Sequence, residues 1–191
     1  MSQAAMEGDS KFVTFNLDAE TYALPISQVR EVLEFSTVTK VPQMPPFVLG
    51  VINLRGNVLP VVDMRQKFGM GRTEKTLETR VIVVEVTVDD EPTVLGALAD
   101  AVRDVMDLDV ADLRPPPKIG ARLRTEFIRG VGRKDDDFVI ILDIEQVFSL
   151  EELTTFQAVE RAGEALRAET EPEDETEAAK PPARSSGSPI L

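Results

Sequence analysis

Short runs of apolar residues, separated by turn-forming residues, fill the chain from Lys11 to about Phe148. The first run, KFVTFNL at 11–17, alternates apolar and polar positions, and TYALPI at 21–26 follows it after the turn DAE. Alternation with a period of two is typical of a strand with one buried face, and two such runs around a short turn form a hairpin. We therefore predict a protein that is mainly β-structure with short helices.

The same pattern continues along the chain. Two strands flank the turn RGN within 51–64, and another hairpin joins RVIVVEVTV at 80–88 to PTVLGALAD at 92–100. Gly and Asn tolerate the positive φ that a tight turn requires. The run FVIILD at 138–143 is apolar almost throughout, which indicates a central strand that is covered on both faces.

One segment after the first hairpin shows helical spacing instead. Val29, Val32 and Leu33 fall at i, i+3 and i+4, which is one face of a helix. Ser27 precedes them as a suitable N-cap. The pattern predicts a short helix over 29–33.

Two further helices and a tail are predicted. Asp63 is placed to cap a short helix, MRQKF, that Gly69 would end. After Ser149, the segment EELTTFQAVERAGEALRAE has apolar residues on one side and predicts a C-terminal helix at 149–168. Residues 169–191 are rich in Glu, Pro, Ala and Ser, a composition that cannot bury enough apolar surface to offset chain entropy. We predict an acidic disordered tail there.

Part of the sequence occurs twice. A shift of 73 residues places VREVLEF (29–35) on VRDVMDL (102–108), and a shift of 80 places VLPVVDMRQKF (58–68) on FVIILDIEQVF (138–148). Repeats normally mean that one structural unit was used twice, although a Val-rich β protein can also match itself by chance. Since each unit is too short for a large core, we predict two small barrels packed side by side with a groove between them.

Composition excludes several classes of chemistry. The formal net charge is −13, and an acidic surface repels nucleic-acid phosphates and anionic lipid. Without Cys or His there are no disulfides, no thiolate nucleophile, no zinc site of the usual ligands and no histidine base, so we expect no cofactor and no metal site. The N-terminus lacks a signal-peptide pattern and no run reaches the roughly 18 apolar residues of a membrane span, so we expect a cytoplasmic protein.

Paired carboxylates are the strongest candidate for catalysis. The repeat matches Asp63 with Asp143, and two carboxylates that share a proton would make an acid hydrolase. Such a site needs a small hydroxyl residue and Gly after each Asp, whereas MRQ and IEQ follow here, so helix capping is the favoured interpretation. The triple Asp at 135–137 is interpreted as a solvated turn, because adjacent side chains in a hairpin diverge and cannot share a cation.

Charged residues at or near the repeat positions are candidates for binding. Arg55 stands at the tip of an otherwise apolar hairpin and projects toward a partner or into solvent. The repeat pairs Glu31 with Asp104, and both are predicted to be solvated. It also pairs Val29 with Val102, and both are predicted to lie in the core.

A long string, VINLRGNVLPVVDMRQKFG at 51–69, lies between YALPISQVREVLE at 22–34 and GALADAVRDVMDL at 96–108. Together these segments resemble the chemotaxis coupling proteins of the CheW-like family, over residues 11 to about 155. The string departs from the family pattern at Met64, where Leu is usual. The acidic tail is a second departure.

This resemblance implies a coupling domain at 11–155, built as two packed five-stranded β-barrel subdomains around a shared apolar core. We expect the first subdomain at about 18–79 and the second at about 11–17 plus 80–148. It also implies that the protein has no catalytic activity and no cofactor.

The resemblance further implies an adaptor that links methyl-accepting chemotaxis receptors to the regulatory domain of a CheA-like histidine autokinase, at receptor arrays on the inner face of the membrane. A helical receptor tip would bind a groove formed by Val29, Glu31, Val32, Arg55, Val102 and Val105. Residues that contact the kinase stay unassigned. A coupling protein of a non-chemotactic motility or developmental pathway is the alternative.

Overall fold

A computed structural model describes residues 10–88, 90–116 and 124–170 of the chain. Its strands are β1 (Lys11–Leu17), β2 (Glu20–Pro25), β3 (Val29–Glu34), β4 (Val48–Leu54), β5 (Asn57–Asp63), β6 (Arg80–Val88), β7 (Glu91–Ala99), β8 (Ala101–Asp107), β9 (Ile128–Lys134) and β10 (Asp137–Leu142). Its α-helices are α1 (Met64–Lys67), α2 (Ile144–Val147) and α3 (Leu150–Thr170). The prediction of a mainly β protein with short helices and a C-terminal helix is confirmed.

The strands form two five-stranded sheets. Sheet A has the order β8-β1-β2-β10-β9, and sheet B has the order β3-β6-β7-β5-β4. In each sheet one isolated bridge joins the segment after the first edge strand to the opposite edge strand: Thr39–Val51 in sheet B and Arg114–Val131 in sheet A. Pro42 and Pro115 follow these bridges, and a residue without an N–H donor interrupts a ladder. The predicted closed barrels are therefore corrected to curled, open sheets.

The order of the strands confirms the duplication. The first repeat holds β1 to β5 and the second holds β6 to β10. When each strand is replaced by its counterpart in the other repeat, the order of sheet A, β8-β1-β2-β10-β9, becomes that of sheet B, β3-β6-β7-β5-β4. Each repeat consists of a hairpin followed by three strands, and the hairpin lies in one sheet while the three strands lie in the other. Each sheet is thus assembled from both repeats.

Sheet membership differs from the predicted subdomain boundaries of 18–79 and 11–17 plus 80–148. Strand β2 lies in sheet A, whereas β6 and β7 lie in sheet B with β3, β4 and β5. The reason is local: β1 and β2 pair in full register around a two-residue turn, so a boundary between them would divide a hairpin.

The segment predicted to be a helix at 29–33 is an edge strand with a bulge. Its register with β6 shifts between Val29 and Glu31, which makes Arg30 the extra residue. The bulge resets the alternation, so that Val29 and Val32 pair with β6 residues two apart and lie on the same face. Two apolar residues three positions apart are typical of one helix face, but here they lie on one face of a strand because the bulge adds a residue between them.

The largest apolar cluster includes residues of both sheets and is the shared core that the family resemblance implied. Sheet A contributes Phe15 and Tyr22, sheet B contributes Ile82 and Leu95, and α3 contributes Phe156, all with no exposed surface. Smaller clusters occupy the opposite face of each sheet. Apolar surface on both faces of the sheets explains why the strands are rich in Val, Leu and Ile.

Helix α3 begins with a capping box. The Glu152 backbone N–H donates to Ser149 Oγ at 3.2 Å, and Glu152 Oε2 accepts from the Ser149 N–H at 2.8 Å. Lys67 Nζ, close to the rings of Phe47 and Phe148, also lies 2.6 Å from the Glu152 carboxylate. These contacts fix the start of the helix beside α1.

The second half of α3 crosses sheet B. Gln157 Nε2 donates to Thr93 Oγ1 at 2.8 Å, and Arg161 pairs with Glu91 at 2.5 Å. The helix extends to Thr170, beyond the predicted start of the tail at 169, and residues 171–191 lie outside the described ranges. Within those ranges, none of the helices is long and apolar enough to cross a membrane.

Candidate partner-binding surface

Edge strand β8 repeats the bulge of β3. Val102 and Val105 are three residues apart, yet they pair with Phe15 and Val13 of β1, which are two apart. The two valines therefore share a face, as Val29 and Val32 do on β3. The repeated V-x-x-V motif thus forms the same local structure twice: an edge strand with a bulge between its two valines.

Each bulged strand carries one inner and one outer valine. Val29 and Val102 are half-buried and pack against the core between the sheets, which agrees with their predicted place at the core. Val32 and Val105 are 41% and 50% exposed. Both edge strands therefore present an apolar side chain to solvent beside one that reaches the shared core.

The structure brings Glu31 and Arg55 together. Arg55 and Gly56 have φ of 52° and 89°, and positive φ at both central residues is typical of the tight turn between two strands of a hairpin. Gly56 N–H donates to Asn53 Oδ1 at 2.7 Å, which fixes the turn. Arg55 Nη2 then lies 2.9 Å from Glu31 Oε2, so Glu31 is ion-paired and not simply solvated as predicted.

This ion pair joins opposite edges of sheet B. Glu31 lies on β3, and Arg55 lies in the turn between β4 and β5, on the far side of the sheet order. The contact therefore depends on the curl of the sheet. The Arg55 side chain remains 77% exposed, which leaves most of the guanidinium open to a partner.

Sheet A contains a counterpart to this ion pair. Lys134 Nζ lies 2.5 Å from Asp104 Oδ2, and Thr14 Oγ1 donates to Asp104 Oδ1 at 2.7 Å. The hydrogen bonds from Lys134 and Thr14 lower the pKa of the Asp104 carboxyl from its ordinary value. Asp104 is exposed, as predicted, and its ion pair with Lys134 also joins β8 to β9 across the open side of sheet A.

A cleft of about 150 Å³ lies beside the Arg55–Glu31 pair. Leu59 and Val94 line its interior, and Arg30 and Glu160 stand at its margin. Burial, followed by the charge of nearby Glu164, raises the pKa of Glu160, and Arg30 opposes this shift. Glu160 could not be predicted from the sequence, because its position depends on how α3 packs across sheet B.

The arrangement of carboxylates does not form an acid-hydrolase site. Asp63 ends β5 in sheet B, whereas Asp143 follows β10 in sheet A. Both carboxylate oxygens of Asp63 accept hydrogen bonds from Thr73. In the described part of the chain, no group of three or more His, Cys, Asp or Glu side chains is placed to hold a metal ion.

Residues 11–152 match a family model described as the CheW-like domain. The chain belongs to the CheW-like family. It is 33% identical to the chemotaxis protein CheW of Klebsiella aerogenes, over 80% of this chain and 89% of that protein. It is 34% identical to the chemotaxis protein CheW of Rhizobium meliloti, over 76% of this chain and 91% of that protein.

A solved structure agrees with the family assignment. The crystal structure of the scaffolding protein TtCheW from Thermoanaerobacter tengcongensis matches this CheW-like chain with a TM-score of 0.66 and 34% identity, over 75% of this chain and 90% of that one. The family consists of scaffolding proteins, so this chain is a chemotaxis adaptor and not an enzyme. Most of α3 lies beyond the segment matched by the family model.

Proposed function

We propose that this CheW-like chain links methyl-accepting chemotaxis receptors to a CheA-like histidine autokinase and couples receptor state to kinase activity. It would act in the cytoplasm, at receptor arrays on the inner face of the membrane. Membership of a family of chemotaxis scaffolding proteins supports this adaptor role. The residues that contact the kinase stay unassigned.

We further propose that the receptor tip binds across the two bulged edge strands and the Arg55 turn. The observation that carries this proposal is that the exposed Arg55 guanidinium pairs with Glu31, which lies on the same strand as exposed Val32. A helical partner laid on such a surface uses a few apolar anchors for affinity and surrounding charges for orientation. Val32 and Val105 would supply anchors, with Val29 and Val102 beneath them.

Arg55 is suited to exchange partners. An ion pair at the surface contributes about 0–1 kcal/mol, and here the Arg55 guanidinium keeps most of its hydration while Glu31 is half-buried. Release of Glu31 therefore costs little, and the guanidinium can then bind a carboxylate of the receptor with two hydrogen bonds. The internal pair holds Arg55 in position before the receptor arrives.

The test compares Arg55→Ala and Val32→Asp with Leu77→Asp, a control at a residue that is 96% exposed. Binding to a receptor cytoplasmic fragment and activation of kinase autophosphorylation are measured for each folded variant. Arg55→Ala and Val32→Asp should weaken receptor binding at least tenfold, and Leu77→Asp should not. Normal binding and activation in both site variants would rule out this surface.

A charge exchange separates contact from positioning. If the Arg55–Glu31 ion pair serves only to hold the turn in place, the double variant Arg55→Glu with Glu31→Arg should restore receptor binding. We expect no restoration, because the receptor carboxylate would then meet Glu at position 55. All variants should still bind the isolated kinase regulatory domain, which distinguishes a lost receptor contact from a lost kinase contact.

A further inference from the structure

Phe138, the second residue of β10, is unusually exposed for an aromatic side chain in a strand. Its exposed fraction is 71%, although Val139, Ile141 and Leu142 in the same strand are buried. The sequence predicted that this apolar run is covered on both faces. The prediction holds for the buried residues and fails at Phe138.

The other half of the fold shows what covers the equivalent position. The 80-residue shift matches Phe138 with Val58 on β5, and α3 lies directly on Val58. The contact is so close that a Cβ added to Gly163 would lie 2.0 Å from Val58 Cγ2. Within the described ranges, α3 covers this position of sheet B, and no helix covers Phe138 at the matched position of sheet A.

Apolar side chains connect exposed Phe138 to the core between the sheets. Ile140 follows Phe138 on the same face of the strand and is half-buried against the core between the sheets. Val131 pairs with Ile140 across the ladder and packs against the same core. Phe138, Ile140 and Val131 thus form an apolar strip that runs outward from the core on the face equivalent to the one α3 covers.

The carboxylates of the turn beside this strip indicate the charge of the partner. Asp135, Asp136 and Asp137 precede Phe138, and all three are exposed. Arg133 pairs with the Asp136 carboxylate at 2.8 Å and also donates to the Asp135 backbone oxygen, while Lys134 pairs with Asp104 of β8. With Arg133 and Lys134 counted against the three Asp, residues 133–137 carry a net charge of −1. A second copy of the chain would add another net charge of −13 and be repelled. The segment 171–191 has Ile190 and Leu191 as its only large apolar residues, which is too few for a helical stripe.

We propose that the apolar strip and the acidic turn at 135–137 form a docking surface for a basic amphipathic helix of another protein, laid across β10 as α3 is laid across β5. The apolar stripe of that helix covers Phe138 and Ile140, and its Lys or Arg side chains meet the turn. This is helix-in-groove recognition on a face separate from the Arg55 turn.

The test uses three synthetic 18-residue peptides as probes with the full chain: a Leu/Lys helix with its leucines on one face, its Leu/Glu equivalent, and a scrambled peptide of the Leu/Lys composition. Phe138→Ser is compared with Leu77→Ser, and a triple Asn variant replaces the turn carboxylates. Binding is measured by fluorescence anisotropy at two salt concentrations. Chemical-shift changes on the wild-type chain locate the contact independently of any variant.

We expect the Leu/Lys helix to bind and to shift resonances of β9 and β10. Phe138→Ser should weaken binding at least tenfold and Leu77→Ser should leave it unchanged, while the triple Asn variant should weaken binding and reduce its dependence on salt. Absence of binding, equal binding of the scrambled or Leu/Glu peptide, or insensitivity to Phe138→Ser would overturn the proposal. Arg55→Ala should still bind the peptide and Phe138→Ser should still bind the receptor fragment, so failure here is separate from failure of the receptor surface.

Discussion

Two aspartates at equivalent repeat positions have different structural roles. Asp63 is buried, and its Oδ1 accepts from the Gln66 N–H at 3.2 Å and from Thr73 Oγ1 at 2.9 Å. Its Oδ2 accepts from the Thr73 N–H at 2.9 Å. Asp143 makes no side-chain cap hydrogen bond to α2. Both aspartates occupy the predicted N-cap position, but only the Asp63 side chain makes the cap hydrogen bond, and Thr73 of the following loop adds two more.

This difference predicts unequal losses of stability. Asp63→Ala should lower the free energy of unfolding by about 2–4 kcal/mol, because an N-cap contributes about 1 kcal/mol and buried donors left unsatisfied cost about 1–3 kcal/mol. Asp143→Ala should cost less than about 1 kcal/mol, since no cap bond is lost. Chemical denaturation of both variants measures the difference. Equal losses would show that the hydrogen bonds of Asp63 add nothing to stability.

Among the elements, hairpins were predictable and bulged edge strands were not. Alternation and turn chemistry are local, so the sequence identifies the strands on both sides of the RGN turn and Arg55 at its tip. The bulge at Arg30 arises from pairing with β6, which is about 50 residues away in the sequence, and it converts a period of two into the spacing of a helix. Glu160 was missed for a related reason, since the contacts of α3 with sheet B are set by tertiary packing.

Edge strand β8 should respond to pH through Asp104. Its pKa is lowered mainly by the hydrogen bond from Lys134, so its contribution to stability is present above the ordinary carboxyl pKa of about 4 and is lost as pH falls through the lower folded value. Asp104→Asn should therefore reduce stability at neutral pH and flatten its decrease in acid. Denaturation curves from pH 7 to pH 2 check this. Identical slopes for wild type and variant would contradict it.

At the scale of the molecule, an ion pair joins the two edges of each sheet where the backbone hydrogen bonds do not continue. Glu31 with Arg55 joins the edges of sheet B, and Asp104 with Lys134 does the same for sheet A. The family resemblance implied two subdomains and a shared core. The sequence alone did not show that the hairpin of each repeat lies in the sheet with the last three strands of the other repeat. Local similarity identifies which segments are equivalent, whereas strand pairing decides which of them lie together.

The exchanged hairpins predict that both sheets unfold in one transition. Each sheet contains strands of both repeats, and the shared core includes side chains from both sheets, so neither sheet retains its core when the other is lost. Tyr22 is the only tyrosine and the chain has no tryptophan, so tyrosine fluorescence reports on sheet A. A tryptophan introduced by Phe35→Trp, at a half-buried position against the separate cluster of sheet B, reports on that sheet.

Denaturant titrations of wild type and Phe35→Trp should give one transition by far-UV circular dichroism. Within each protein, its fluorescence midpoint should coincide with the circular dichroism midpoint. Coincidence is expected because Phe15 and Tyr22 of sheet A share one apolar cluster with Ile82 and Leu95 of sheet B. A tryptophan transition at lower denaturant than loss of secondary structure would show that sheet B opens alone. The proposed receptor surface uses β3 of sheet B and β8 of sheet A, so it would lose its sheet B residues whenever sheet B opened alone.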